Sequence, residues 1–181
     1  AGDGTHEHPT QAILDMMSLQ EKFGYIKGLN VAIVGDINHS RVARSNIYGL
    51  ITMGANVTLC GPPNLIPSNI IDLGVKVNYN IDEVIEWADA VNVLRIQRER
   101  MGIGIIPSER EYRTLFGVTE ERLARRGNEL VIMHPGPMNR GVEIDDRVAD
   151  SDQAIILDQV LNGVASRMSI LYLLLGPKEE G

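Results

Sequence analysis

Val31-Ala-Ile-Val-Gly-Asp-Ile-Asn-His-Ser-Arg-Val-Ala-Arg-Ser-Asn46 is the stretch that decides the fold of this chain. Its apolar start predicts a buried strand over residues 31–34. Gly35 begins a sharp turn, and Ser40 is of a type that favours the position just before a helix. A strand, a turn and a helix in this order are typical of an open α/β sheet, which binds ligands at the carboxyl ends of its strands.

The same alternation continues along the chain. Apolar runs near residues 57, 75, 91 and 131 predict further strands, with segments of helical spacing between them. Strands that alternate with helices form parallel sheets with right-handed crossovers. We therefore predict an α/β fold: a doubly wound, Rossmann-like parallel sheet of about five strands, order 3-2-1-4-5, with helices on both faces. Helices over 9–23 and 153–175 begin and end the chain, and a polar loop precedes the second.

Composition excludes several classes of protein. The 181 residues are enough for one well-formed core and few for two. A net charge of −7 disfavours nucleic acid as a partner, because phosphate backbones are bound by basic surfaces. No apolar run reaches the length of a membrane span. The single cysteine, Cys60, suits a cytoplasmic location.

Polar segments follow the first, fourth and fifth predicted strands. They are residues 35–41, 95–100 and 134–140. These strands are neighbours in the predicted order, so we expect the segments to meet in one crevice. Arg41 and Arg95 in that crevice suit a dicarboxylate, because guanidinium groups bind carboxylates through paired hydrogen bonds. Gln97, two residues after Arg95, lies on the same side of an extended chain and assists it.

Neither a cofactor nor a metal is expected. The turn after the first strand lacks a G-x-G-x-x-G pattern, and the charge of Asp36 would oppose a pyrophosphate. The second predicted strand runs into Gly61-Pro-Pro63, which offers no acidic residue to a ribose. The histidines and acidic residues near the start of the chain lack a second ligand pair at metal-binding spacing. His39 and His134 receive no chemical role from spacing alone.

Several segments resemble the aspartate transcarbamoylase (aspartate carbamoyltransferase) family, catalytic chain. They are AGDGTHEHPTQ at 1–11, GDINHSRVARSN at 35–46, LRIQRER at 94–100 and HPGPMNRG at 134–141. Ornithine transcarbamoylases share the architecture, but Thr10 and the run that begins at His134 favour aspartate. The resemblance implies carbamoyl transfer from carbamoyl phosphate to L-aspartate, giving N-carbamoyl-L-aspartate and phosphate, a step of pyrimidine biosynthesis.

The resemblance also implies roles for residues on the acyl side of the site. His8, the one catalytic residue, would hydrogen-bond the carbamoyl oxygen. Gln11 would hold the carbamoyl amide, and carbonyls around Gly136 and Pro137 would accept hydrogen bonds from the same amide.

On the amine side, the resemblance implies that Arg41 binds the α-carboxylate of aspartate. Arg95, steadied by Gln97, would bind the side-chain carboxylate. The loop over residues 98–108 would close over the bound aspartate.

The likeness extends only to the aspartate-binding half of such a catalytic chain. The family's Ser-x-Arg-Thr-Arg phosphate motif and its Lys-bearing loop do not occur in this sequence, so residues 1–181 are expected to form a single aspartate-binding domain. Helices 9–23 and 153–175 would normally pack on the absent N-terminal carbamoyl-phosphate domain. Apolar side chains expected to be uncovered are Ile13, Met17, Leu161, Val164, Leu171 and Leu174. The family implies a homotrimer in the intact enzyme, with regulatory or dihydroorotase chains as further partners, and the chain alone is expected to be inactive.

Two other hypotheses stay open at this point. In the first, the chain is a non-catalytic domain that binds dicarboxylates or serves in assembly. In the second, it belongs to a carbamoyltransferase for another amine such as ornithine. Titration with aspartate or succinate tests the first, and the identity of the consumed amine tests the second.

Overall fold

The computed structural model describes residues 2, 4, 6–96, 108–127 and 129–176. Five parallel strands form one sheet in the order β3-β2-β1-β4-β5, which confirms the predicted topology. The strands are β1 Asn30–Val34, β2 Asn56–Cys60, β3 Lys76–Val77, β4 Ala90–Val93 and β5 Val131–Met133. The helices are α1 Pro9–Phe23, α2 Arg41–Thr52, α3 Ile81–Trp87, α4 Glu109–Phe116, α5 Glu120–Arg126, α6 Asp146–Ala149 and α7 Ile156–Leu175. Two short 3₁₀ turns lie between β2 and β3, at Pro63–Leu65 and Ile70–Leu73.

Strand β1 is the centre of the sheet and sets the level at which its neighbours end. Val34 is in register with Cys60 of β2 and with Val93 of β4. The next residue, Gly35, has φ +134°, and a Cβ added there would lie 2.9 Å from the Cβ of Leu94. Only glycine fits this backbone conformation and this close approach. The turns after β1 and β4 therefore lie directly against each other.

Apolar side chains fill both faces of the sheet. On one face, alternate residues of β1 such as Ala32 pack with α3, α4 and α5 around the fully buried Tyr112. On the other face, Val31 and Ile33 pack with α1 and α2. Strands buried on both faces consist of almost unbroken apolar runs, and these runs make the strands predictable from the sequence.

The predicted boundaries are wrong in two places where backbone pairing prevails over local pattern. Helix α7 begins at Ile156 rather than at 153, because residues 153–155 run beside β5: Ile132 N–H donates to Gln153 O (2.8 Å) and Ile155 N–H donates to Ile132 O (2.9 Å). The strand predicted near residue 75 is only two residues long, Lys76–Val77, since it lies at the sheet edge and pairs with β2 alone.

Short helices are the other difference from the sequence prediction. The segment 146–149, predicted as part of a polar loop, forms the single turn α6, with Val148 buried against the sheet. Between β2 and β3, Ile70–Leu73 forms only a 3₁₀ turn. Elements this short carry too few residues to show a periodic pattern.

Helix α7 packs on α1 and leaves a long apolar surface uncovered. Of the side chains predicted to be uncovered, five are exposed in the structure and Met17 is only half-buried. The exposed ones, with fractional exposure, are Ile13 41%, Leu161 69%, Val164 57%, Leu171 57% and Leu174 74%. Within the described ranges, no helix combines the length and apolar character needed to cross a membrane.

Candidate active-site cleft

The predicted polar segments meet in one cleft at the carboxyl edge of the sheet. The cleft has a volume of about 290 Å³ and borders on α1 as well as on the turns after β1, β4 and β5. Its lining includes six of the seven predicted site residues: His8, Gln11, Arg41, Arg95, Gly136 and Pro137. The seventh, Gln97, and residues 98–107 of the predicted closure loop lie outside the described residues.

His8 lies at the N-terminus of α1 and caps it. Its Nδ1 accepts a hydrogen bond from the backbone N–H of Gln11 (3.3 Å), and its own N–H donates to Ser45 Oγ (2.9 Å) on α2. Burial, followed by the positive charge of Arg41, lowers the pKa of the His8 imidazole below its ordinary 6.5. A neutral ring that accepts at Nδ1 carries its proton on Nε2. His8 is thus a hydrogen-bond donor without a net charge.

Gln11 is buried in the first turn of α1, and its side chain is held from behind. Its Nε2 donates to Oδ1 of Asp15 (3.0 Å), one helical turn further along. Asp15 is only 1% exposed and was not identified from the sequence. The available signal was an acidic residue on the apolar face of an amphipathic helix, four residues after a site residue.

Arg41 and Arg95 bring two positive charges to the cleft. Arg41 is the first residue of α2, which begins after the cap formed by Ser40 Oγ and Ala43 N–H (3.1 Å). Arg95 is half-buried and follows Leu94, whose backbone N–H donates to Val34 O (2.8 Å). Both guanidinium-bearing residues therefore extend from the two turns that Gly35 brings together.

Asp36 has a structural task that the sequence did not indicate. Its Oδ1 accepts hydrogen bonds from the backbone N–H (3.1 Å) and from the Nδ1 (2.8 Å) of His39. These contacts hold the tight turn between β1 and α2, and the buried carboxylate is directed back into the turn. Both residues also line the cleft.

The segment after β5 is fixed by a buried pair of side chains, His134 and Glu143. His134 Nδ1 accepts from the N–H of Gly136 (2.9 Å), so its Nε2 carries the proton that faces Glu143 Oε1 (3.3 Å). Neither side chain of this pair is exposed. Glu143 also accepts from the backbone N–H and the Nδ2 of Asn139. The short segment that carries Gly136 (φ +62°) and the cis peptide bond to Pro137 is thus held in one conformation at the edge of the cleft.

The cleft therefore combines two cations, an uncharged imidazole donor, a buried amide and backbone carbonyls. Nowhere in the described part of the chain do three His, Cys, Asp or Glu side chains come together in a way that could hold a metal ion. The groups present can orient an anionic or dipolar substrate and stabilise an oxyanion, which is chemistry of positioning and polarisation.

Comparisons with known proteins identify the family to which the chain is similar. Residues 27–174 match the family model described as aspartate/ornithine carbamoyltransferase, Asp/Orn binding domain. The aspartate carbamoyltransferase catalytic subunit of Carboxydothermus hydrogenoformans is 59% identical over 182 residues, which cover 100% of this chain and 58% of that protein. The chain thus spans less than two-thirds of the length of the curated relatives it matches.

Solved structures show the same likeness. The catalytic subunit of M. jannaschii aspartate transcarbamoylase has a TM-score of 0.82 at 33% identity, covering 100% of this chain and 60% of that one. Aspartate transcarbamoylase from Trypanosoma cruzi in complex with carbamoyl phosphate has a TM-score of 0.80 at 26% identity, covering 95% of this chain and 57% of that one.

Proposed function

The chain belongs to the aspartate/ornithine carbamoyltransferase family, and on this premise we propose that it supplies the aspartate site and part of the carbamoyl site of an aspartate carbamoyltransferase. The reaction joins carbamoyl phosphate to L-aspartate and yields N-carbamoyl-L-aspartate and phosphate, a step of pyrimidine biosynthesis. The observation that carries the proposal is that two arginines, a neutral imidazole donor and a glutamine amide line one and the same cleft.

The amine side of the cleft would hold aspartate by its two carboxylates. Arg41 binds the α-carboxylate, and Arg95, assisted by Gln97, binds the side-chain carboxylate. Charge-assisted pairs between a guanidinium and a carboxylate are shorter and about twice as strong as neutral hydrogen bonds. Two such pairs fix the amine in one orientation, so that its lone pair faces the acyl carbon.

The acyl side would hold and polarise the carbamoyl group. The Nε2–H of His8 donates to the carbamoyl oxygen, while Gln11 and carbonyls around Gly136 and Pro137 accept from the carbamoyl amide. The amine nitrogen forms a bond to the carbamoyl carbon, the bond from that carbon to the phosphate oxygen breaks, and the amine proton leaves with phosphate. Positioning contributes on the order of 7–11 kcal/mol in favourable cases, and a donor aimed at the oxyanion contributes roughly 3 kcal/mol.

We further propose that the exposed faces of α1 and α7 pack on a carbamoyl-phosphate domain. Support comes from the share of the relatives that the chain spans, 58%, and from the exposed apolar side chains of α7, such as Leu161 and Leu174. Such a catalytic chain would act as a homotrimer, with regulatory or dihydroorotase chains as further partners. We place it in the cytoplasm, in keeping with the unpaired, buried thiol of Cys60.

The test is an assay of the catalytic polypeptide that joins this chain to a carbamoyl-phosphate domain. It is expected to form carbamoyl-aspartate from carbamoyl phosphate and L-aspartate, and the chain by itself is expected to form none. Absence of carbamoyl-aspartate from the complete polypeptide would contradict the proposal.

L-Ornithine is the alternative amine, because the matching family model covers both substrates. The cleft favours aspartate, since ornithine has one carboxylate and would leave one of the two arginines without an anionic partner. Supplying both amines in one assay and identifying the carbamoylated product decides between them. Carbamoyl-ornithine as the main product would reassign the amine site.

A further inference from the structure

Asp15 is a buried carboxylate that accepts hydrogen bonds from four side-chain amides on four different elements. Its Oδ1 accepts from Gln11 Nε2 (3.0 Å) on α1 and from Gln159 Nε2 (2.7 Å) on α7. Its Oδ2 accepts from Asn46 Nδ2 (2.7 Å) on α2 and from Asn92 Nδ2 (3.1 Å) on β4. The carboxylate thus ties α1, α2, α7 and the sheet together directly behind the cleft.

The set of partners indicates an ionised carboxylate. Every contact comes from an N–H donor, whereas a protonated acid would have to direct its own O–H at one of them. Burial, the largest influence, raises the pKa of Asp15 above its ordinary value, and the hydrogen bonds from the four amides oppose this rise, so the case for the ionised form rests on the geometry of the donors. A carboxylate with no exposed surface and filled acceptor positions determines how each neighbouring amide is turned.

The orientation of Gln11 follows from this contact. Because Asp15 holds Nε2, the amide of Gln11 presents its Oε1 on the side away from Asp15, and Gln11 lines the cleft. The group available to a ligand is therefore a hydrogen-bond acceptor.

The segment after β5 depends on the same carboxylate. Gln159 donates to Asp15 through Nε2 and accepts from the backbone N–H of His134 through Oε1 (2.9 Å). His134 in turn accepts from the N–H of Gly136 (2.9 Å). Asp15 therefore holds the amide of Gln11 directly and, through Gln159, supports the segment that the His134–Glu143 pair also fixes.

We propose that Asp15 is a positioning residue that makes the acyl side of the cleft a surface of hydrogen-bond acceptors, so that the site selects an acyl phosphate whose acyl group carries an N–H donor. This inference rests on the proposed carbamoyl transfer and concerns its acyl donor. A carbamoyl group satisfies the acceptors, whereas the methyl group of acetyl phosphate leaves them without partners.

The experiment compares carbamoyl phosphate with acetyl phosphate in the complete catalytic polypeptide. The readout is the inhibition constant of acetyl phosphate divided by the KM of carbamoyl phosphate. Asp15→Leu keeps the branched shape of the side chain but removes the acceptor that holds Gln11, and this ratio is expected to fall by roughly tenfold or more. A merely structural role would change stability and overall rate without changing the ratio.

Asp15→Asn serves as the conservative variant. The oxygen of the introduced amide can still accept from Gln11 and Gln159. Its nitrogen can donate to Asn92 Oδ1, a buried atom that has no partner within the described part of the chain, once the Asn92 amide turns over. Asn46 Nδ2 then loses its acceptor, which lowers stability without touching Gln11. Because the contact to Gln11 is kept, the ratio is expected to stay within about threefold of the wild-type value, below the factor of about five that corresponds to one hydrogen bond of about 1 kcal/mol.

Ser18→Ala is the matched control. Ser18 is buried on the same helix and joins α1 to α7 by accepting from Asn162 Nδ2 (3.0 Å), without contact to Gln11. It should lower stability and leave the ratio unchanged. An unchanged ratio in folded Asp15→Leu, or an equal fall in Ser18→Ala, overturns the proposal.

Hydrogen exchange gives a second measurement, on this chain without substitution at Asp15. The side-chain amide signals of Gln11 are identified by their absence from the spectrum of Gln11→Met. Their Nε2 protons are expected to exchange far more slowly than those of the exposed Gln20. Equal exchange would show that Asp15 does not hold the amide and would overturn the proposal even where Asp15→Leu does not fold. Failure of the wild-type polypeptide to transfer carbamoyl groups contradicts the proposed function instead, and leaves this measurement to decide the role of Asp15.

Discussion

At the scale of single residues, His8 shows how one contact serves both the fold and the chemistry. The bond from the N–H of Gln11 to Nδ1 caps α1 and simultaneously assigns the proton of the ring to Nε2. Burial and the charge of Arg41 keep the ring neutral. A donor is therefore available at the cleft without the desolvation cost of a buried cation.

The pKa of His8 in the folded chain is expected to lie below 6.5, with the proton of the neutral ring on Nε2. Nuclear magnetic resonance titration of the ring nitrogens measures both. The folded chain binds this proton less tightly than the unfolded chain does. The contribution of His8 to the free energy of unfolding is therefore complete above 6.5 and is lost as the pH falls through the lowered value.

His8→Asn is the control for this titration, because asparagine also caps helices but does not titrate. In this variant, the free energy of unfolding should fall less at acidic pH than in the wild type, by the contribution of His8. A pKa above 6.5, or a neutral ring with its proton on Nδ1, would contradict the assignment.

Arg95→Ala is expected to weaken succinate binding by the complete catalytic polypeptide. Loss of a hydrogen bond to a charged group costs about 1.5–3 kcal/mol, which corresponds to roughly 10- to 150-fold in the dissociation constant. Calorimetric titration with succinate measures it. Arg113→Ala is the matched control, since Arg113 pairs with Asp145 (2.9 Å) on the far side of the sheet. Equal effects of the two substitutions would remove Arg95 from the site.

At the scale of elements, the segment after β5 depends on its buried His134–Glu143 pair. Glu143→Gln places an amide N–H where three donors now meet a carboxylate, so one of them is left without an acceptor. We expect a loss of about 1–3 kcal/mol in the free energy of unfolding. Urea denaturation measures it, with Glu129→Gln as the exposed control. A loss in Glu143→Gln no larger than in the control would show that the pair does not hold the segment.

The elements that were predictable from the sequence are those whose local pattern agrees with their tertiary contacts. Helix α1 combines Pro9 in its first turn with a regular apolar spacing, and its predicted limits are confirmed. The start of α7 was not predictable, because Gln153 and Ile155 bond with the edge of β5, a partner distant in sequence. The pattern of apolar residues within a segment does not reveal backbone pairing with a strand that is distant in sequence.

The same distinction holds for the cleft. Site residues at strand ends, such as Arg41 and Arg95, were identified because parallel strands bring their carboxyl ends together. Asp15 was missed, since its role depends on amides up to 144 positions away, as with Gln159. A buried acidic residue has no signature of its own until its donors are known.

At the scale of the whole molecule, the apolar surface of α7 distinguishes this chain from an ordinary monomer. Leu157 is 82% exposed and Leu173 is 80% exposed, next to several similar side chains of the same helix. Continuous apolar patches of this kind mark surfaces that bind another protein surface.

Polar substitutions on the exposed face of α7 should therefore leave the stability of this chain unchanged and impair its packing against another domain. Leu161→Ser with Leu174→Ser is expected to change the free energy of unfolding of this chain by no more than about 0.5 kcal/mol per site, because neither side chain is buried. In the complete polypeptide the same pair should abolish carbamoyl-aspartate formation. The buried Leu19→Ser, by contrast, should destabilise the chain itself. Full activity of the double variant would show that α7 does not contact the second domain.

The buried carboxylate of Asp15 has a consequence for how such a protein can diverge or be redesigned. Its amide partners on α1, α2, β4 and α7 share one charge, so a change at any of them disturbs the others. Arg41, at the start of α2, and Arg95, in the turn after β4, are not among the donors to this carboxylate. The specificity for the amine substrate can therefore change through a few substitutions near the two arginines. A change in the specificity for the acyl donor requires simultaneous substitution of Asp15 and its buried amide partners.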